Sequence, residues 1–291
     1  MTVSKIFFDP AEAKRCHFEF CGPLKTNTGR SYEIAEWLGR GGNGSVFSSI
    51  DRGSGEDFAI KFLLTRGTKA AKRFLREISL LGKLESEHVI RIHGEGRVRA
   101  TEVTAHKRSP ITIPFFVMDL AEGNLSEVLT EARAMPQPEA YMGQFRGLAK
   151  ALADLHAIAI HRDIKPENIL VQGDKWLLGD YGLSTFTNRE GEDLTGDANN
   201  IGPKFWMSPE GHNRRIGRGD DICAASDVYQ LAAVFWYVVT GRHPSGNLTR
   251  EDWCGPEALF EPVHRALMHN RTKRPVDGEA FFEQISSALS S

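Results

Sequence analysis

The sequence lacks a disulfide framework, a long apolar run and a strong charge of either sign. Its 291 residues include only four cysteines, too few to hold a chain of this size together by disulfides. The longest apolar run covers nine residues, from Leu231 to Val239, whereas a membrane-spanning helix needs about 20. Lys and Arg total 36 against 38 for Asp and Glu, and this net charge of −2 argues against a protein that coats DNA or RNA. These absences predict a cytoplasmic globular protein that neither spans a membrane nor binds nucleic acid.

The cysteines also bear on metal binding. Cys16 and Cys21 flank His17, which makes a zinc site conceivable, but no second Cys/His pair has metal-ligand spacing. Four reduced thiols are therefore the preferred interpretation. The amino-terminal residues carry mixed charges and no long apolar stretch, so they do not predict a secretory signal.

Strand-like patterns dominate the chain up to about residue 118. Alternating or apolar runs between turn residues predict strands at 32–38, 45–50 and 57–64, and several short strands from 89 to 118 that Pro110 and Pro114 punctuate. Phe74, Ile78 and Leu81 recur at helical spacing and predict one helix over 69–84.

Helical patterns dominate the rest of the chain. One continuous apolar face is formed by Tyr141, Phe145, Leu148, Leu152 and Leu155. Further helices are predicted around 231–238, where Gly241 follows, and around 281–289. Strands followed by helices predict an α+β fold with two lobes, divided near residues 119–124, and a cleft between lobes is a usual place for a small ligand.

A glycine cluster lies between the first two predicted strands. Gly39, Gly41 and Gly44, followed by Val46, match the pattern G-x-G-x-x-G-x-V. In a dinucleotide-binding loop the glycines are followed by a helix, whereas here they are followed by a predicted strand. The glycines therefore predict a turn between two strands whose backbone amides can close over phosphates. An ordinary glycine-rich hairpin is the alternative.

Lys61 lies inside an apolar strand, where an ammonium group is expensive to bury unless it meets an anion. Glu77, sixteen residues later, shares a helical face with Phe74 and Leu81 and can pair with Lys61. Taken singly, a lysine at a strand edge and a solvated helix acid are the alternatives.

Polar residues that suit phosphoryl transfer cluster between His161 and Asp180. Asp163 can accept the proton of a substrate hydroxyl, and Lys165 adds a cation beside the moving phosphoryl group. Asn168 and Asp180 supply hard oxygen ligands for Mg²⁺. Each residue alone can be a loop polar residue, but the spaced set is hard to obtain by chance.

From about Tyr32 to its end, the sequence resembles the eukaryotic-type protein kinase family, and Lys165 resembles the mark of its serine/threonine branch. The resemblance implies a small β-rich lobe with one key helix, a larger helical lobe, and ATP and Mg²⁺ as cofactors. The implied divisions are an N-terminal extension at 1–30, a small lobe at 31–118, a hinge at 119–124 and a large lobe at 125–291. The implied partners are protein substrates.

The resemblance also assigns roles to single residues. It implies that Lys61, held by Glu77, binds the α- and β-phosphates, that Asp163 is the catalytic base assisted by Lys165, and that Asn168 and Asp180 bind the metal. The implied nucleotide-binding residues are Gly39, Gly41, Gly44, Val46, Ala59, Lys61, Met118, Asp119, Ala121 and Leu170. Glu210 is expected to pair with Arg274, and Asp227 is expected to anchor the catalytic loop.

Three features depart from the family pattern or concern its regulation. Tyr181 replaces the usual Phe after the metal-binding Asp, and its hydroxyl needs a partner. Pro203 stands where serine/threonine kinases usually carry a Thr. The activation segment is expected at 183–207, with autophosphorylation, for which Thr195 is the preferred site and Arg162 the phosphate receiver.

Two other functions are alternatives to an active protein kinase. A pseudokinase usually loses the lysine, the base or the metal ligands, all of which are present here. Small-molecule kinases of the antibiotic- or choline-phosphorylating type lack a Lys-Pro-Glu-Asn stretch and a Ser-Pro-Glu segment such as that ending at Glu210.

Overall fold

The chain is described from a computed structural model, which covers residues 3–41, 44–131, 136–187 and 205–290. It divides into two compact units. The first consists of Met1–Lys83 with Ile90–Ala121, and the second of Leu84–Val89 with Glu122–Ser291.

The described residues of the first unit form an antiparallel sheet of eight strands and one helix. Its strands are β1 (Val3–Ile6), β2 (Cys16–Cys21), β3 (Leu24–Lys25), β4 (Ser31–Gly41), β5 (Gly44–Asp51), β6 (Asp57–Leu63), β7 (Ile92–Thr104) and β8 (Arg108–Asp119), and its helix is α1 (Thr68–Leu81). The strands lie in the order β1-β2-β7-β8-β6-β5-β4-β3. Successive side chains alternate between the faces of each strand, so one face supplies an aromatic core in which the rings of Phe47 and Phe62 lie 5.9 Å apart.

The sheet differs from the sequence expectation in its last two strands. The sequence predicts several short strands separated by Pro110 and Pro114, whereas β8 runs through both prolines. The part of β8 up to Pro114 pairs with β7, and pairing with β6 begins at Phe115. Both prolines therefore lie where the strand has one paired side, a position that tolerates a missing backbone donor.

The amino-terminal residues also belong to this sheet. The sequence treats 1–30 as an extension before the small lobe, but β1, β2 and β3 all come from it. Ile6 and Phe18 are buried in the same core as Phe47. The pairing of β2 with β7 builds these strands into the first unit.

The second unit is mainly helical. Its helices are α2 (Leu125–Glu131), α3 (Pro138–His156), α4 (Pro209–Arg215), α5 (Ala224–Thr240), α6 (Glu257–Ala266) and α7 (Gly278–Ser290), and its strands are β9 (Gly123–Asn124), β10 (Ala159–Ile160), β11 (Ile169–Gln172), β12 (Lys175–Leu178) and β13 (Thr185–Phe186). Most side chains of α5 are buried. Phe235 of α5 stacks on Phe145 of α3 at 3.8 Å and lies 5.9 Å from Phe281 of α7, so these three helices share one core.

A short segment, Leu84–Val89, belongs to this second unit although the sequence division put it in the first. The backbone amide of Leu178 donates to the carbonyl of His88 at 2.8 Å, and Val89 forms a bridge with Leu178. These bonds attach the segment to β12.

A sheet-rich amino-terminal unit followed by a helical unit confirms the predicted α+β class. No helix among the described residues is long and apolar enough to cross a membrane.

Candidate active site

The site residues predicted from the sequence lie in two groups, one in each unit. In the first unit, Lys61 lies in the middle of β6, between Val46 of β5 and Phe116 of β8. Its ammonium Nζ lies 2.6 Å from Glu77 Oε1, and the two residues are only 6% and 4% exposed. A buried ammonium and carboxylate stabilise each other only as a pair, because removing either leaves an uncompensated charge.

The glycine-rich segment joins β4 to β5 beside this pair. Gly39 lies opposite Val46, and Gly41 lies opposite Gly44. A side-chain carbon built on Gly44 would lie 1.7 Å from the carbonyl oxygen of Phe62, so only glycine fits there. One built on Gly41 would lie 3.2 Å from Lys61 Cε, which places the Gly41 backbone against the lysine side chain.

The residues expected around the adenine ring fall in both units. Ala59 lies opposite Met118, and Phe58 lies opposite Asp119, so β6 and β8 place three of the predicted residues side by side. Asp119 is held by its side chain as well, because Oδ1 lies 2.5 Å from the Nε2 atom of His93.

Ala121 and Leu170, the other two residues expected around adenine, lie in different units. Ala121 ends the first unit, and Leu170 lies in β11 of the second. Leu170 is half-buried and pairs with Leu177 and Asn124 in its own three-stranded sheet.

The loop that carries Asp163 is anchored by helix α5. Asp227 is fully buried, and its carboxylate accepts hydrogen bonds from the backbone amides of His161 at 2.6 Å and Arg162 at 2.8 Å. Arg162 adopts a φ of 75°, a left-handed conformation that persists in a non-glycine residue only when its surroundings enforce it. The two bonds to Asp227 supply part of that enforcement.

Asp163, Lys165 and Asn168 come together within this loop. The amide nitrogen of Asn168 donates to the Asp163 backbone carbonyl at 2.7 Å and to its Oδ2 at 2.9 Å. Lys165 Nζ lies 3.7 Å from the same Oδ2. Both bonds from Asn168 use its nitrogen, so its amide oxygen is the atom suited to ligand a cation.

The surroundings of Asp163 change its acidity. Burial raises the pKa of Asp163 from 3.8 to about 6, the positive charge of Lys165 opposes that rise, and the negative charge of Asp180 adds to it. The carboxyl group is therefore ionised at neutral pH and yet close to the pKa that suits a general base.

Asp180 and Tyr181 follow strand β12. Asp180 has a φ of 54°, and its Oδ1 accepts a hydrogen bond from the Gly182 amide at 3.3 Å. Tyr181 is fully buried, and its hydroxyl donates to the carbonyl of Leu178 at 3.1 Å, which satisfies the group that distinguishes it from Phe. Its ring lies 4.9 Å from that of His161, whose pKa is lowered by complete burial.

A second buried ion pair lies behind the loop. The Arg274 guanidinium contacts both carboxylate oxygens of Glu210, at 2.8 and 3.0 Å, and the Ser226 hydroxyl donates to Glu210 at 2.6 Å. The contact predicted between Glu210 and Arg274 is therefore present. Burial alone would raise the pKa of Glu210, but the hydrogen bonds from Arg274 and Ser226 hold it below its usual value of 4.5.

Two residues that support the loop were not identified from the sequence. Gln230 accepts a hydrogen bond from the Ile164 amide at 3.1 Å, and His156 Nε2 lies 3.1 Å from Asp227 Oδ2. Gln230 lies three residues after Asp227 on the same face of α5, a spacing that can be read from the sequence. His156 carries no such signal, because only the packing of α3 against α5 brings it to Asp227.

Part of the predicted activation segment is described. Arg162 Nη1 donates to the Thr185 hydroxyl at 2.9 Å. Thr195 and Pro203 lie outside the described residues.

These features define a protein kinase domain. The chain matches the family "Protein kinase domain" over residues 32–273, and it belongs to that family. Its similarity extends to bacterial serine/threonine kinases.

Three such relatives are each 30% identical to it. They are the probable serine/threonine-protein kinase PknB of Corynebacterium glutamicum (219 residues, 73% of this chain and 32% of that protein), the serine/threonine-protein kinase PknD of Mycobacterium tuberculosis (219 residues, 73% and 30%) and the serine/threonine-protein kinase PknH of Mycobacterium bovis (236 residues, 77% and 36%). The chain thus spans about a third of the length of these relatives.

Proposed function

We propose that this chain transfers the γ-phosphate of ATP to serine and threonine hydroxyls of protein substrates, with Mg²⁺ as the metal cofactor. The observation that carries the proposal is the position of Asp163, a largely buried carboxylate held by Asn168 and Lys165 with a pKa of about 6. An active enzyme requires this ionised acceptor, whereas a nucleotide-binding pseudokinase does not.

In the proposed step, the substrate hydroxyl oxygen bonds to the γ-phosphorus as the bond to the ADP oxygen breaks. Asp163 accepts the hydroxyl proton, and Lys165 stabilises negative charge on the transferring group. Lys61, fixed by Glu77, binds the α- and β-phosphates, and the backbone amides of Gly39, Gly41 and Gly44 cover them.

The donor atoms fit a magnesium ion. Mg²⁺ usually takes one or two protein oxygens and fills its other positions with phosphate oxygens and water. The amide oxygen of Asn168 and the carboxylate of Asp180 would hold the ion, and the ion would neutralise phosphate charge.

The remaining assignments in this proposal come from the kinase resemblance. Val46, Ala59 and Leu170 enclose adenine, Met118 lies at the rear of its pocket, and the backbones of Asp119 and Ala121 bind its edge. The lobes at 31–118 and 125–291, the hinge at 119–124 and the cytoplasmic location stay predictions from the sequence.

The proposal is tested by incubating the purified chain with γ-labelled ATP, Mg²⁺ and a mixture of protein substrates. Label on phosphoserine and phosphothreonine is expected, and omission of Mg²⁺ should abolish it. Mass spectrometry of the 183–207 peptide tests autophosphorylation, for which Arg162 provides a cation next to Thr185. A chain that binds ATP but labels neither itself nor any substrate is a pseudokinase.

The pH profile is a second prediction. Transfer is expected to fall as the pH drops through about 6, because the pKa of Asp163 is raised to about 6 and the protonated group cannot accept a proton. The stability of the fold depends on pH in the opposite direction. Because the folded pKa of Asp163 exceeds the usual 3.8, this residue contributes to the free energy of unfolding below pH 3.8, and that contribution is lost as the pH rises through about 6. Activity measured from pH 5 to 8 with saturating ATP checks the expected fall in phosphate transfer, and a flat activity profile contradicts it.

A further inference from the structure

The amino-terminal strands lie outside the family match, which begins at residue 32. They are nevertheless part of the sheet that carries the nucleotide-binding residues. Strand β2 pairs with β7 from Cys16 to Glu19, and Ile6 at the end of β1 is fully buried. This segment is therefore a fixed part of the first unit, and its contacts can affect the proposed nucleotide site.

Two aromatic residues follow β1 and contact the strands on either side of the glycine-rich segment. The ring of Phe7 lies edge-on to that of Phe47 in β5, with centroids 5.4 Å apart. The guanidinium carbon of Arg40, in β4, lies 5.5 Å from the ring centroid of Phe8. A cation over an aromatic face at this distance is attracted by the ring quadrupole.

Arg40 is the residue between Gly39 and Gly41. Gly39, Arg40 and Gly41 pair with β5, and Arg40 is the one of the three whose side chain can add a restraint to that pairing. Gly41 in turn lies against the Lys61 side chain. A contact that holds Arg40 therefore also holds the backbone next to the proposed phosphate-binding lysine.

We infer that Phe8 is a positioning residue for the nucleotide-covering segment. Its ring holds the guanidinium of Arg40 and thereby keeps Gly39–Gly41 beside Lys61. The amino-terminal strands are in this way an accessory part of the ATP site, contributed by residues that precede the family match. The effect on ATP rests on the proposed function, but the restraint on the backbone does not.

Phe8 also packs against the hydrophobic core of the sheet, so its removal has a structural effect as well. Phe8→Leu keeps an apolar side chain of similar size and removes the ring, and Phe8→Tyr keeps the ring. Arg40→Gln removes the charge. Arg52→Gln is the matched control, because Arg52 lies at the other end of the β4–β5 hairpin and pairs with Glu33.

The first measurement is amide hydrogen exchange of residues 38–41 in the nucleotide-free chain. Exchange is expected to be about two- to fivefold faster in Phe8→Leu and in Arg40→Gln, the range that an exposed cation–π contact supplies, and unchanged in Phe8→Tyr and Arg52→Gln. The double variant Phe8→Leu/Arg40→Gln should exchange no faster than Arg40→Gln. Additive effects of the two substitutions would show that Phe8 acts by general packing and would overturn the inference.

The second measurement is steady-state kinetics. The KM for ATP is expected to rise about two- to fivefold in Phe8→Leu with kcat preserved, and to stay at the wild-type value in Phe8→Tyr. Equal KM and equal exchange in wild type and Phe8→Leu overturn the inference while phosphate transfer by the wild type supports the proposed function. Absence of transfer by the wild type counts against the proposed function alone, because hydrogen exchange still decides whether Phe8 restrains the segment.

Discussion

Replacement of Asp163 by asparagine is expected to slow phosphate transfer by about 10²- to 10⁴-fold, the usual contribution of a general base. In the proposed mechanism the carboxylate accepts the substrate proton, whereas asparagine has nearly its shape but cannot take a proton at neutral pH. ATP binding should persist, because Lys61 and Glu77 hold the phosphates in the proposed mechanism. Single-turnover transfer and the Kd for ATP measure the two effects separately.

The stability of this variant distinguishes chemistry from unfolding. Since burial raises the pKa of Asp163, its charge is a cost to the folded state at neutral pH. Asp163→Asn should therefore melt no lower than the wild type at pH 7.5. Asp174→Asn, an exposed aspartate in the turn between β11 and β12, is the matched control and should keep full activity. Equal transfer by wild type and Asp163→Asn would refute the enzymatic proposal.

Replacement of Arg274 by methionine is expected to lower the free energy of unfolding by about 3–5 kcal/mol, as found when one partner of a buried ion pair is removed. Glu210 and Arg274 are 4% and 5% exposed, so the carboxylate left behind has little access to water. The change also removes donors to the carbonyls of Met268 and His269. Urea unfolding at pH 7.5 measures the loss.

Two comparisons make this prediction specific. Lys273→Met removes a neighbouring exposed cation and should change stability by less than about 0.5 kcal/mol, as is usual for surface substitutions. The double variant Glu210→Gln/Arg274→Met should lose less than the sum of the single losses, since no unpaired charge remains.

The stability that the Glu210–Arg274 pair contributes also depends on pH. The pKa of Glu210 lies below 4.5, so the pair contributes stability that is present above pH 4.5 and lost as pH falls through the folded pKa. In Arg274→Met, the free energy of unfolding should therefore decrease less as the pH falls below 4.5. An Arg274→Met chain as stable as the wild type would contradict the assigned role of the pair.

Residue type and spacing indicated one buried contact of this chain, and the family resemblance supplied another. Lys61 in an apolar strand requires an anion, and Glu77 on the buried face of the next helix is that anion. Glu210 and Arg274 were paired through the family resemblance, and the structure contains that contact. Such contacts are predictable because a buried charge restricts its partners to a few residues.

Other features depend on distant parts of the chain. The contacts of Gln230 and His156 arise from the approach of α5 to the loop that carries Asp163 and to α3. Strand β2, which carries β1, pairs with β7 through residues about 85 positions apart in the chain. The local sequence pattern of β2 does not indicate which strand it pairs with.

The sequence by itself determined the class of this protein: its strand and helix patterns predict an α+β fold, and the glycine-rich segment, Lys61, Glu77 and the spaced set from Asp163 to Asp180 carry its resemblance to the protein kinase family. Only the tertiary structure decided the acidity of Asp163, the left-handed backbone of Arg162 and the contact of Phe8 with Arg40. The physical reason is that local propensity and residue chemistry act along the chain, whereas burial, electrostatic fields and side-chain contacts depend on which distant segments pack together.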